Sequence, residues 1–86
     1  MKRARQSERR RVHNRYYRTT ARTYIKKARA QIAANDLEEA EITVQGAAKI
    51  LDKAAQKGII HRNNAARRKS RLMKALNKAK ADAAAA

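Results

Sequence analysis

No proline occurs anywhere in this chain of 86 residues, and glycine occurs only at positions 46 and 58. Almost nothing in such a chain interrupts a helix. Alanine accounts for 20 residues and lysine with arginine for 23, all strong helix formers. The β-branched residues are scattered and no stretch alternates apolar with polar, so no strand is expected. The fold class that follows is all-α.

Apolar spacing divides the chain into three helices. Ala21, Ile25, Ala28 and Ile32 step by four, three and four, the repeat of one helix face. Asn35-Asp36 interrupts that row, and Asp36 with Glu39 has capping-box spacing for a second helix. Leu37, Ala40, Val44, Ala47, Leu51, Ala54 and Ala55 form its stripe, Lys53 and Lys57 fall in its last turn, and Gly58 is placed as a left-handed stop. Ile59 and Ile60 are expected to staple the next connection into the core. The polar junction His61-Arg62-Asn63-Asn64 follows, and then a third helix turning Ala65, Leu72, Leu76 and Ala79 inward. From Ala81 onward no partner face remains, and the tail is expected to fray. The sum is one domain over 1–86, a three-helix bundle packed through alanine seams that allow close approach. Before Ala21 the first helix is nearly all polar, so residues 1–18 are expected to project as a basic arm that orders on an anionic partner. Apart from Met1 the large aliphatics number thirteen, a core too thin for a deep substrate cavity.

Charge is the second constraint. Lysine and arginine outnumber aspartate and glutamate 23 to 7, a net +16. Residues 1–29 carry +11, residues 36–52 carry −4, and residues 57–80 carry +9 with no acid. A self-repelling polycation of this kind fits against a polyanion. The first basic segment is ordered: Arg11, Arg15, Arg18, Arg22, Lys26 and Arg29 fall within about 80° of one another on a helix and span roughly 27 Å. Arg67, Arg71, Lys74 and Lys78 form a second stripe, opposite Leu72 and Leu76. Solvated helix faces ordinarily interleave acids at the third and fourth positions. Here they are missing, which points to phosphate binding with counterion release.

Other chemistries find little support. Cysteine is absent, which removes disulfides and thiolate metal sites. The longest apolar run is Ala83–Ala86, far below the roughly 20 residues of a membrane span, and no apolar segment follows the basic start as in a secretory signal. His13 and His61 lie 48 residues apart with no acid at ligand spacing, so no metal site is expected. His61 is expected to donate to a helix terminus or a phosphate, with Asn63 or Asn64 capping the third helix. Glu38 and Glu39 suit a helix first turn without further chemistry. Ser7, Ser70 and the threonines have no acid–base partner nearby, and no glycine-rich loop exists, so the chain does not read as an enzyme. Tyr16, Tyr17 and Tyr24 are the only aromatics. Stacking on unpaired bases is one role for them. The preferred alternative has Tyr24 covering the seam while Tyr16 and Tyr17 pack under arginine stems. The basic triplets Arg9-Arg10-Arg11 and Arg67-Arg68-Lys69 resemble import signals, but this charge density produces such triplets anyway.

The segment from Asp52 through Lys57-Gly58-Ile59-Ile60-His61-Arg62-Asn63-Asn64 to Met73 resembles the signature of the bacterial small-subunit ribosomal protein twenty family. Lys2-Arg3, Arg9-Arg10-Arg11 with Asn14-Arg15, and Arg22-Thr23 through Lys26-Lys27 are similar to that family's first helix. The resemblance implies a three-helix bundle with an extended first helix, direct binding to 16S ribosomal RNA near the bottom of the small-subunit body, and a structural and assembly role on the ribosome of the cytoplasm or an organelle. The family usually carries several residues, including a Ser-Ala step, ahead of the Lys-Arg pair that here directly follows Met1. Either the start is truncated or this member lacks that tail, and no RNA contact is carried over from it. The expected RNA-binding residues are Lys2, Arg3, Arg11, Arg15, Arg18, Arg22, Lys26, Arg29, Lys57, His61, Arg62, Asn63, Arg67, Arg68, Arg71, Lys74 and Lys78, presenting two basic faces to separate RNA helices. No cofactor, small-molecule substrate, membrane or second copy is expected. The rival readings are a nucleoid-type DNA compactor, which lacks a recognisable DNA-binding motif, and a cationic membrane-active helix, whose alanine faces are too shallow for lipid.

Overall fold

The computed structural model describes the backbone of residues 2–85 and the side chains of residues 8–85. It contains α1 (Lys2–Ala33), α2 (Leu37–Gln56) and α3 (Arg62–Ala85), and no strand among the described residues. The molecule is a rod of 62 × 21 × 13 Å, long because α1 outruns the other two helices. An all-α three-helix bundle is the fold, as the helix-forming composition and apolar periods require.

Both connections use the same device. Asn35 takes φ 60°, its N–H donates to the Ile32 carbonyl at 3.1 Å, and the Asp36 N–H donates to Gln31 at 2.9 Å. Gly58 takes φ 76°, its N–H donates to Ala55 at 3.0 Å, and the Ile59 N–H donates to Ala54 at 2.9 Å. Each pair is a Schellman closure around one left-handed residue, and Ile59 packs on Ala54 as that motif favours. The left-handed stop expected at Gly58 is therefore present. The capping box expected of Asp36 and Glu39 is not: Asp36 makes no side-chain capping bond. Its N–H closes α1, and at φ −90°, ψ 71° its backbone lies outside the extended region that aims an N-cap side chain at the third amide.

At α3 the cap is also not the expected asparagine. The Asn63 N–H donates to His61 Nδ1 at 3.1 Å, and Asn63 and Asn64 lie inside the first turn. Because α3 begins at Arg62, the residue flanking it is His61. The α3 helix runs through Ala85, and its residues 81–85 are exposed, as expected of a stretch with no partner face.

The core is an alanine seam with few large side chains. Ala28, Ala40, Ala47 and Leu51 are fully buried, joined by Val44, Ala54, Ala65, Leu72 and Leu76. Leu51 packs with Ala21 of α1 and Ala65 of α3, so a single leucine ties the three helices. Small residues bring the axes close, and Gly46 does so most directly. A Cβ there would stand 2.8 Å from the Tyr24 ring, which covers the α1–α2 seam. Tyr17, expected under arginine stems, is instead a core residue at 6% exposure against Ala54 and Ile59. The Arg18 guanidinium donates to the Ile59 carbonyl at 3.1 Å. The arm expected to project as far as residue 18 is thus tied down at Tyr17 and Arg18.

Candidate nucleic-acid interface

The α1 row follows from its spacing. Arg11, Arg15, Arg18 and Arg22, joined by Arg10, Asn14 and Thr19, line one open groove along the helix. Farther on, Arg22 and Arg29 meet Arg68 and Arg71 across a cleft over Ile25. Between these stretches Arg18 and Arg22 share a cleft with His61, Asn64 and Arg68. Of the second stripe, expected to face a separate RNA helix, Arg71 joins the α1 row in one cleft, together with Arg68. The reason is in the register of α3. Asn64, Arg68 and Arg71 occupy the flank of α3 turned toward α1, next to the buried row of Ala65, Leu72 and Leu76.

The acids are elsewhere. Lys69 Nζ reaches both carboxylate oxygens of Asp52, at 3.1 and 3.0 Å, and Lys80 Nζ lies 3.1 Å from Glu41. Both pairs bridge α2 and α3 on the side away from the groove. Arg11 is 3.6 Å from Glu8, a loose exposed pair one turn apart that the expectation of an acid-free stripe overlooked. Among the described residues, no carboxylate forms an ion pair with Arg15, Arg18, Arg22, Arg29, Arg68 or Arg71.

The remaining expected RNA-binding residues divide as follows. The side chains of Lys2 and Arg3 lie outside the described residues. Lys57 sits over the Tyr17 ring, 5.7 Å from its centre, beside a cleft with Arg9, Arg10, His13 and Asn14 at the base of the arm. The group over the ring is the ammonium itself, within cation–π range. Lys26, Arg62, Arg67, Lys74 and Lys78 are exposed, and they are not brought into the convergence of Arg18, Arg22, Arg29, Arg68 and Arg71. Asn63 is exposed and contributes its backbone N–H to the His61 cap.

The clefts are also lined by Arg9, Arg10, His13, Asn14 and Asn64, which the expected set of RNA-binding residues leaves out. A signal for three of them exists. Arg10 and Asn14 precede Tyr17 and Ala21 at steps of four, three and four, so they continue the inward row past the point where the bundle ends. Asn64 stands four residues before Arg68 and shares its face.

Among the described residues no three His, Cys, Asp or Glu side chains are grouped to hold a metal, and no helix is long and apolar enough to cross a membrane. What the surface offers is a row of guanidiniums spaced along a rod, suited to successive phosphates.

The family model described as ribosomal protein S20 matches residues 1–77. A small ribosomal subunit protein bS20 of Thermomicrobium roseum is 60% identical over 73 residues, covering 85% of this chain and 74% of the relative. The bS20 of Bacillus cytotoxicus is 51% identical over 77 residues, covering 90% and 91%. That of Pseudomonas aeruginosa is 51% identical over 83 residues, covering 93% and 91%. On the match of its family model and of relatives spanning most of its length, the chain belongs to the ribosomal protein S20 family.

Proposed function

We propose that this protein is built into the small ribosomal subunit and binds 16S ribosomal RNA directly, with the α1–α3 groove as its principal phosphate-binding face. Membership in the family makes it a structural component of the ribosome rather than an enzyme. The observation that carries the RNA contact is the meeting of Arg22 and Arg29 with Arg68 and Arg71 in one cleft where no acid pairs with them. Four guanidiniums held together at low ionic strength repel one another, and a folded RNA supplies the anions that relieve this.

The mechanism is electrostatic and geometric. The α1 rod, about 48 Å long at 1.5 Å per residue, lays its arginine row along phosphates. The α3 residues Arg68 and Arg71 bring a second set within the same cleft, so closely approaching RNA strands are screened from each other. The thin alanine core makes no deep cavity and needs none, because the bundle acts as a spacer that holds charge in register.

A filter-binding titration with 16S ribosomal RNA tests this. Arg22→Ala with Arg71→Ala should weaken binding by about 1.5–3 kcal/mol for each charge-assisted hydrogen bond removed, with helix content unchanged by circular dichroism. Unchanged affinity would count against the groove. Duplex DNA competing equally well at equal nucleotide concentration would favour the DNA-compacting alternative.

A further inference from the structure

The α1–α3 groove has one deeper, partly open stretch, a cleft of about 400 Å³ walled by Arg18 and Arg22 from α1, Asn64 and Arg68 from α3, and Ile60 and His61 from the junction. Backbone phosphates elsewhere along the groove need only exposed cations. This cleft offers more. Arg18 is pinned by its bond to the Ile59 carbonyl, so the rest of its fork is aimed before any ligand arrives. His61 Nδ1 is engaged by the Asn63 N–H, which fixes the ring at the rim. The Asn64 side-chain oxygen is buried without a hydrogen-bond partner.

An orphaned amide oxygen is unusual in a folded protein and calls for a reason. Because that oxygen makes no bond, the amide can turn over without breaking one. Turning exchanges oxygen and nitrogen, so the end that lines the cleft can be an acceptor or a donor to suit a nucleobase edge. The floor is apolar, formed by the buried Ala21, Ala54 and Ile59. In volume the cleft is near the lower end of small-ligand sites, roughly 300–1,000 Å³, too small for a duplex and suited to one nucleotide.

We infer that this cleft takes a single nucleotide extruded from the RNA, its phosphate held by Arg18, Arg22 and Arg68 and its base edge read by Asn64. The inference rests on the RNA-binding function proposed above and adds base recognition to a surface that otherwise reads only backbone charge. Structured RNA presents such unstacked nucleotides at loops and bulges, where bases are recognised on their edges.

Chemical probing of base edges and backbone in 16S ribosomal RNA, with and without the full-length protein, tests it. Wild-type protein should shield one base edge within its backbone footprint. Asn64→Ala should expose that base again and weaken binding about tenfold, the scale of recognising one base, with the backbone footprint elsewhere unchanged. Asn64→Asp keeps the side-chain size and offers the three arginines an internal carboxylate. It should fold at least as well by circular dichroism and lose the same base protection, which keeps the test decisive if the alanine variant folds poorly. A wild-type footprint with no shielded base, or the same shielded base in a folded Asn64 variant, would overturn the nucleotide site while leaving the proposed function standing. Absence of any footprint from wild-type protein would remove both.

Discussion

The two flanks of α3 treat the same kind of charge in opposite ways. On the α2 side, Lys69 and Lys80 each reach a carboxylate, Asp52 and Glu41, at 3.0 and 3.1 Å. On the α1 side, Arg68 and Arg71 meet Arg22 and Arg29 over Ile25, and none of the four is in an ion pair among the described residues. The difference shows that net charge is a poor guide to where a surface keeps its charge unpaired. Acids from the middle of the sequence neutralise one seam, and the opposite seam is left cationic. Lysine serves where a surface pair suffices, and arginine, with its planar fork, stands where phosphate oxygens would be bound bidentately.

The comparison can be broken at its shared support. Leu51 is fully buried between Ala21 and Ala65, so Leu51→Ala should cost about 2–5 kcal/mol of stability. In a domain with so few large apolar side chains, thermal unfolding followed by circular dichroism should show most of the transition lost. A melting curve like that of wild type would mean that the groove's two walls are not held by this core.

A smaller effect is expected at the junction that sets the register of α3. Gly58 adopts φ 76° with nothing near a built Cβ, so Gly58→Ala adds only backbone strain, about 1–2 kcal/mol. Gly46→Ala meets the Tyr24 ring instead and tests packing rather than conformation. If Gly58→Ala unfolds at the wild-type temperature, the left-handed closure contributes less than its geometry implies.

The smallest stability effect sharpens the contrast between the flanks. Asp52→Asn with Glu41→Gln removes both inter-helix pairs, which are largely exposed, and should cost about 0–1 kcal/mol per pair. Loss of the two carboxylates raises the net positive charge and frees both lysines, so RNA affinity should hold or rise. A loss of RNA binding in a folded double variant would show that the paired seam, too, belongs to the interface.

Much of this is legible in the residues. Steps of three and four locate every helix, and Gly58 marks a stop that the structure confirms. The arginine row of α1 needs only helical geometry, and it is there as a groove. Longer-range facts are not legible. Tyr17 packs on Ile59 and Arg18 donates to it across 41 residues, and no local period encodes an interaction at that distance. The convergence of Arg22 with Arg68 depends on how α1 crosses α3, so the stripe of Arg67, Arg71, Lys74 and Lys78 looks in sequence like a separate face. Only Arg71 of that set lines the shared cleft with Arg22. Competition for backbone donors decides the caps: α1 claims the Asp36 N–H, and the start of α3 at Arg62 gives the cap to His61 rather than to an asparagine.

The salt dependence of 16S ribosomal RNA binding, measured side by side for wild type, Arg22→Ala/Arg71→Ala and Asp52→Asn/Glu41→Gln, compares the flanks most directly. The account predicts that the arginine pair flattens the slope of log affinity against log salt by about 0.7–0.9 for each phosphate no longer neutralised, while the carboxylate pair leaves it unchanged or steeper. Equal slopes for all three folded proteins would contradict the claim that the unpaired arginines between α1 and α3 are where the RNA phosphates bind.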